Sequence, residues 1–526
     1  MLHLKDQPVL ILGLGDSGLA MARWCARHGA QVTVADTRDS PPQLKALIAQ
    51  VPGARFVSGP LDAGLLVLDG CIDDVIDGAS VMRAIYISPG LTPTAIAPVL
   101  TVAREYGIAI GGELGLFSHA LADLAITQAY NPKVLAITGT NGKTTVTALT
   151  GLLIARSGKT MAVAGNIGPT LLDTLTAHID GCTLPEVWVL ELSSFQLHGV
   201  VNFEPTAGAV LNVTQDHLDW HGDMANYAAD KGRVFGKAGA MLLNREDPLV
   251  MAMQPAAVKL AKGVLPRSVL CFGGDMPQRP GDFGIEVVNG MAWLVRAHEA
   301  DETSRRRKDA VDDVTFQRLM PADALRIRGR HNAVNALAAL ALITAAGCAL
   351  GPALYALREY RGEPHRVESV AIVHGVEYFD DSKGTNVGAT VAALRGLGEG
   401  FSGQRRLLVI LGGDGKGQDF SPLVAPVAQY VRTVLLIGRD ALQIRTELAQ
   451  TDVALVDVES LSQAVQLASQ LAHAGDAVLL SPACASLDMF DNYVHRAHVF
   501  CEAVNGLELT LAMDTKQTPP NLEATS

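Results

Sequence analysis

The chain has 526 residues, 48% hydrophobic and 18% charged, which excludes an intrinsically disordered protein and suits about three globular domains. A formal net charge of −12 excludes a general nucleic-acid binder, which needs a basic face, yet leaves room for phosphate sites made of backbone N–H groups and one lysine. Seven scattered cysteines without a Cys-x-x-Cys pair exclude a structural zinc cluster and point to a reducing compartment, and no signal peptide opens the chain.

Short apolar runs, glycine turns and amphipathic stretches alternate through three blocks, the rhythm of βα units around parallel sheets. In the first block, strands are expected at 9–12, 32–35, 65–68, 84–87 and 108–110, with a helix over 17–28. Gly13, Gly15, Asp16, Ser17 and Gly18 join the first strand to that helix, and Asp36 ends the next strand. Such a loop sets a pyrophosphate on a helix N-terminus. The loop does not choose between an NAD site with Asp36 on the ribose and a UDP-sugar site; the lesser alternative is a glycine turn packing helix on sheet. Ser88-Pro89-Gly90 ends a later strand on the same rim and offers further N–H groups.

In the second block a strand at 134–138 runs into Gly139-Thr140-Asn141-Gly142-Lys143-Thr144-Thr145, and a helix follows to about 156. Backbone N–H groups there point at a phosphate, Lys143 reaches the β- and γ-phosphates, and the Thr144 hydroxyl suits Mg²⁺. A P-loop ordinarily spaces its glycines more widely than Gly139 and Gly142, so this is a variant; the alternative is a tight βα turn with an incidental lysine. Strands follow at 187–191 and 209–211. Glu191 ends a strongly apolar run, where a carboxylate needs either a metal ion or a salt bridge. The Asp216–His221 cluster reads by spacing as a polar loop, and Lys231 as a lysine on a helix surface. The mixed charges of 298–314 read as a solvated insertion without catalytic weight. The apolar stretch 333–357 is broken by Asn335, Thr344, Gly347, Gly351 and Pro352, so it reads as two buried helices and not a membrane span.

The third block has expected strands at 407–411, 434–437 and 477–480 and a helix over 461–472; residues 514–526 read as a disordered tail.

These motifs resemble a known family. The Gly139–Thr144 loop looks like the ATP loop of the Mur ligases. Six other stretches are similar to the D-glutamate-adding members, in order along the chain. They are Glu191-Leu192-Ser193-Ser194-Phe195-Gln196-Leu197, Asn212-Val213-Thr214-Gln215-Asp216-His217, Gly329-Arg330-His331-Asn332-Ala333-Val334-Asn335-Ala336, Asp381-Ser382-Lys383-Gly384-Thr385-Asn386, Gly412-Gly413-Asp414-Gly415-Lys416 and Ser481-Pro482-Ala483-Cys484-Ala485-Ser486-Leu487-Asp488. The Asp-Asn-Pro-Arg motif of the diaminopimelate- or lysine-adding members is missing. The ATP loop reads Thr-Asn-Gly, not the Thr-His-Gly of the L-alanine-adding members.

The resemblance implies an α/β protein of three domains. A Rossmann-like N-terminal domain (1–130) would hold a UDP-sugar, a P-loop ATPase-like central domain with a parallel sheet (131–361) would hold ATP, and a Rossmann-like C-terminal domain (362–513) would hold the amino acid. It implies a cytoplasmic, monomeric, ATP- and Mg²⁺-dependent ligase of peptidoglycan synthesis with small-molecule substrates and no nucleic-acid or membrane partner. The carboxylate of UDP-MurNAc-L-Ala would become an acyl phosphate, which the amine of D-glutamate attacks through a tetrahedral intermediate.

Lys143, Glu191, His217 and Lys231 are the implied catalytic set, with Thr144, Glu191, His217 and a carbamate on Lys231 as metal ligands. Gly139 to Thr145, Asn332, Asn335, Arg366 and Asp381 would hold ATP. Gly13, Gly15, Asp16, Ser17, Gly18, Asp36, Thr37, Arg38, Ser88, Pro89, Gly90, Asn166, Gln196 and His217 would hold the UDP-sugar. Lys383, Thr385, Lys416, Ser486, Leu487 and Tyr493 would line the D-glutamate site. Four positions depart from the family pattern: Asp230 and Gly232 on either side of Lys231, Tyr493 in place of a phenylalanine, and Asp16 in place of an apolar residue, where an acid is unfavourable beside a pyrophosphate unless it points away. Taken singly, Asn332 reads as a helix cap and Arg366 as a surface residue. Competing readings of the whole chain are another Mur-type or folylpolyglutamate-type ligase, an NAD-dependent oxidoreductase built on the first block, and a non-catalytic nucleotide-binding regulator.

Overall fold

The computed structural model describes residues 4–67, 81–256, 265–300, 314–399, 401 and 406–517, with 508–517 described by backbone alone. The first sheet contains β1 (Pro8–Leu12), β2 (Gln31–Asp36), β3 (Arg55–Ser58), β4 (Ala84–Ile87) and β5 (Ala109–Gly111), all parallel, in the order β3-β2-β1-β4-β5. The continuous apolar run of β1 takes the central place, because only there are both faces of a strand covered. The strand order reverses between β1 and β4, so the loops leaving them diverge and open a crevice at their carboxyl ends. Glycine is required at that turn. Gly13 has φ +85°, and a Cβ on Gly18 would lie 2.0 Å from the Gly13 carbonyl oxygen.

The strand expected at 65–68 is absent. Ala63–Leu66 forms a 3₁₀ turn capped by Asp62, Val67 makes an isolated bridge to Val81, and Leu68 lies outside the described residues. The apolar pair Leu65-Leu66 serves to anchor this turn, with Leu66 in the core. Edge strand β3, with no residue fully buried, had no apolar run to announce it.

The second sheet contains β6 (Lys133–Thr138), β7 (Met161–Gly165), β8 (Val187–Glu191), β9 (Ala207–Val210), β10 (Ala240–Asn244), β11 (Val269–Phe272), β12 (Phe283–Val288), β13 (Met291–Glu299) and β14 (Val314–Pro321). Their order is β14-β13-β12-β11-β10-β9-β6-β8-β7. From β7 to β11 the pairs are parallel, and β12 turns back on β13 as an antiparallel pair. The charged run expected as an insertion joins β13 to β14; its residues 301–313 lie outside the described residues. The long apolar stretch forms two helices as expected, Arg330–Ala345 and Leu350–Glu359. Asn332 is not the cap of the first. It sits inside the helix and donates from Nδ2 to the Arg328 carbonyl at 2.8 Å.

The third sheet contains β15 (Glu368–Val373), β16 (Val376–Asp380), β17 (Leu407–Gly412), β18 (Val431–Ile437), β19 (Ala454–Asp457) and β20 (Ala477–Leu480), in the order β15-β16-β20-β17-β18-β19. Only the β15–β16 hairpin is antiparallel. Where a tail was expected from 514, a helix runs Tyr493–Gln517, since no proline or glycine interrupts it after Gly506; 518–526 lie outside the described residues.

The first two sheets belong to one compact unit (Met1–Val213, His217–Met320 and Asn335–Leu357) and the third to another (Thr214–Asp216, Pro321–Val334 and Arg358–Ser526). Among the described residues no helix is long and apolar enough to cross a membrane.

Candidate active site

The P-loop variant leaves β6 and enters the helix Lys143–Arg156 as expected. Gly139 has φ +155° and Gly142 φ +84°, conformations that favour glycine. Asn212 clamps the loop: its Oδ1 accepts from Asn141 N at 2.8 Å and its Nδ2 donates to the Asn141 carbonyl at 3.1 Å. Asn335 lies against the same loop, since a Cβ on Gly142 would meet its Oδ1 at 2.8 Å. Two lysines converge on one acceptor. Lys143 Nζ donates to the Gly139 carbonyl at 2.8 Å and Lys231 Nζ donates to it at 2.9 Å. Lys231 is 1% exposed and lies over the Tyr227 ring at 4.3 Å, so the reading of a surface lysine is overturned. The helix Met224–Gly232 buries Tyr227, Asp230 and Lys231 on one face, which was not legible from its mixed composition.

Glu191 ends β8 beside β6, paired in register with Ile137. Its carboxylate is 1% exposed; Oε1 accepts from Asn166 Nδ2 at 3.0 Å, while Oε2 has no hydrogen-bond partner. No lysine or arginine pairs with it among the described residues, so the salt-bridge alternative fails. A buried carboxylate oxygen left open at the edge of a phosphate loop fits a hard divalent cation, and the hydroxyl of buried Thr144 adds a second oxygen donor in the same unit.

His217 caps the short helix Leu218–His221 with φ +54° and meets the Phe195 ring edge-on at 4.8 Å. His221, read from the sequence as part of a polar loop, is fully engaged: Nδ1 contacts Asp230 Oδ2 at 3.1 Å and Nε2 contacts Ser194 Oγ at 2.9 Å. The serine–imidazole–carboxylate order resembles a hydrolytic triad. Ser194 is only 2% exposed, however, so no substrate reaches its oxygen. Asp230 also receives His198 at 2.9 Å and Arg233 at 3.2 Å. Burial pushes its carboxyl up, but the hydrogen bonds from His198 and His221 prevail and hold it well below the usual carboxylate range.

At the other end of this unit, Asp36 is buried and bound. Its Oδ2 accepts from Leu14 N at 2.8 Å and its carboxylate takes three bonds from Arg38. The Arg38 hydrogen bond, against the effect of burial, holds Asp36 down at about 2. Asp16 is exposed and accepts from Gln43 at 2.6 Å, turned to a neighbouring side chain. Thr37 and Arg38 are exposed beside it. Ser88, Pro89 and Gln196 line a cavity of about 830 Å³, together with Phe195, Trp220 and Glu113. Gly90 and Asn166 are exposed and stand outside that lining, as does the Gly13–Gly18 loop.

Glu113 was not singled out by the sequence. Its Oε1 accepts from Leu172 N at 3.1 Å, its Oε2 has no partner, and burial pushes the carboxyl up to about 7. A carboxyl raised on folding favours the protonated fold, so stability is lost as pH rises from the ordinary carboxylate range to about 7. Between pH ~5 and ~8 the wild type should therefore lose up to about 3 kcal/mol relative to Glu113→Gln. Thermal unfolding of both proteins across that range checks it; parallel pH curves would contradict it.

In the other unit, the loops after β16, β17 and β20 carry the residues expected to bind D-glutamate. Lys383 Nζ lies over the Tyr493 ring at 3.7 Å, bringing two of them together. Ser486 is buried, Thr385 half-buried, and Lys416 and Leu487 exposed. Asp381 is buried, accepts from Ser481 Oγ at 2.6 Å, and is pushed up to about 7 by burial, while Ser481 and the nearby Arg366 pull the other way. Arg366 is half-buried. Arg496, which the sequence did not reveal, is 1% exposed and ties two of these loops, donating to the Ser382 carbonyl at 2.8 Å and the Cys484 carbonyl at 3.2 Å. Burial lowers it to about 10.

Three family models match the chain in order: the MurD-like N-terminal domain of Mur ligases over residues 7–112, the Mur ligase middle domain over 137–343, and the glutamate ligase domain of Mur ligases over 365–484. The chain belongs to the Mur ligase family, whose members are three-domain α/β enzymes that depend on ATP and magnesium. A UDP-N-acetylmuramoylalanine–D-glutamate ligase from Albidiferax ferrireducens is 66% identical over 506 residues, covering 96% of this chain and 97% of the relative. Another from Burkholderia multivorans is 56% identical over 521 residues, covering 97% and 98%. Within the family the chain belongs with these D-glutamate ligases. Among solved structures, MurF from Acinetobacter baumannii shares the fold with a TM-score of 0.55 at 15% identity, over 96% of this chain and 92% of that one.

Proposed function

We propose that the chain joins D-glutamate to UDP-N-acetylmuramoyl-L-alanine after ATP has phosphorylated the carboxylate of that precursor. The observation that carries this reading is the meeting of Lys143 and Lys231 on the Gly139 carbonyl, in the sheet where buried Glu191 keeps an unpartnered oxygen. Phosphorylating a carboxylate sets one anion against another. A site for it needs cations aimed at the transferring phosphoryl group and carboxylates to hold a metal.

Lys143 neutralises the developing charge on the phosphoryl oxygens. Thr144, Glu191 and His217 hold magnesium, which when bound screens the triphosphate as a Lewis acid. Lys231 completes that set as a carbamate. Two ammonium groups on one carbonyl repel each other, and a neutral Lys231 amine that takes up CO₂ becomes an anion beside Lys143. Asn335, Asn332, Arg366 and Asp381 hold the nucleotide. Ser88, Pro89, Gly90, Asn166, Gln196 and the Gly13–Gly18 loop, with Asp36, Thr37 and Arg38, hold the UDP-sugar. The turn of Asp16 toward Gln43 supports a pyrophosphate in this loop.

The free amine of D-glutamate, placed by Lys383, Thr385, Lys416, Ser486, Leu487 and Tyr493, attacks the acyl carbon. The C–N bond forms, the C–O bond to phosphate breaks, and the amine proton leaves. Lysines suit a dicarboxylic substrate. The same reading puts the enzyme in the cytoplasm as a monomer, with domains at 1–130, 131–361 and 362–513.

An ADP-release assay over D- and L-amino acids tests the substrate. ADP should form only when UDP-N-acetylmuramoyl-L-alanine and D-glutamate are both present. Equal rates with L-lysine or L-alanine would overturn the assignment.

A further inference from the structure

We infer that Asp230, acting through His221 and Ser194, is a positioning residue that sets Glu191, His217 and Lys231 in place for the metal. The inference rests on the ligase reading above. Asp230 directly precedes Lys231 on the helix Met224–Gly232. Its Oδ2 meets His221 Nδ1 at 3.1 Å, and His221 closes the turn that His217 caps. The other imidazole nitrogen meets Ser194 Oγ at 2.9 Å, at the start of the short helix that follows Glu191. One buried carboxylate thus joins the three backbone segments that carry the three proposed ligands. Phe195 adds a second path, stacked on His221 at 5.5 Å and edge-on to His217 at 4.8 Å.

Asp230 is 5%, His221 7% and Ser194 2% exposed. Stability alone does not explain such a network, because burying a charged group loses its hydration and apolar packing of equal volume serves as well. Its remaining partners, His198 and Arg233, lie on the rim at 49% and 46% side-chain exposure and bond only to Asp230 within it. The outer side chains of a metal site fix the direction of its ligands, and losing one commonly weakens metal binding about 10–100-fold.

The test is a Mn²⁺ titration of the full chain with a non-hydrolysable ATP analogue, free Mn²⁺ being read by electron paramagnetic resonance. Asp230→Asn should weaken Mn²⁺ binding about 10–100-fold, while metal-free affinity for the analogue stays within about twofold. Ser194→Ala should shift it in the same direction by less, at a melting temperature near wild type, and it decides the matter if Asp230→Asn fails to fold. Wild-type Mn²⁺ affinity in the variants, even with lowered melting temperatures, would overturn the inference alone. A wild type that binds no Mn²⁺ beside the nucleotide would overturn the ligase reading and this inference with it.

Discussion

Lys143→Ala lowers the maximal rate by about three orders of magnitude, equivalent to ~4 kcal/mol of transition-state stabilisation. The lysine is the first residue of the helix that leaves the phosphate loop, and its Nζ folds back onto the Gly139 carbonyl of that loop. Its removal leaves the loop itself intact, because Asn212 holds Asn141 from both sides and Lys231 still bonds the Gly139 carbonyl. UDP-sugar binding, which we assign to the first sheet and the cavity beside Ser88, should keep its affinity within about threefold, a change near RT in free energy. Steady-state kinetics and calorimetric titration with the UDP-sugar separate the two effects. Full activity in the variant would end the assignment of this loop to ATP.

Glu191→Gln separates function from stability in the opposite sense. Glutamine keeps the volume and the contact to Asn166 but removes the charge. Turnover should fall by about 10²-fold or more, ~3 kcal/mol, with a raised magnesium requirement. The melting temperature should hold or rise, because the wild type buries a carboxylate whose Oε2 has no protein partner. Scanning calorimetry beside kinetics at several Mg²⁺ concentrations checks both halves. A destabilised variant with unchanged magnesium dependence would show Glu191 to be a structural anion.

Much of this was legible in the residues. Central parallel strands such as β1, β6 and β20 are short apolar runs bounded by glycine or polar turns, and they fall where the pattern puts them. The phosphate loop was legible because glycine spacing, lysine and hydroxyls each have a local reason to be there. Edge elements were not: β3 has no fully buried residue, and the Leu65-Leu66 pair looked like a strand although tertiary packing uses it in a single turn.

Buried polar residues escaped for a different reason. Lys231, Asp230, His221, Glu113 and Arg496 are hydrophilic by type, and only the contacts made by distant segments put them inside. Nothing local to Arg496 signals that it holds Ser382, and nothing local to Asp230 signals two imidazoles. Family resemblance pointed to Lys231 where composition pointed the other way, and its burial against Tyr227 accounts for the discrepancy.

The most direct measurement follows oxygen. UDP-N-acetylmuramoyl-L-alanine labelled with ¹⁸O in its free carboxylate is turned over with ATP and D-glutamate, and the released phosphate is weighed by mass spectrometry. An acyl phosphate leaves one carboxylate oxygen on that phosphate, so singly labelled phosphate should appear in step with ADP. Unlabelled phosphate at full turnover would mean that the carboxylate never carried the phosphoryl group.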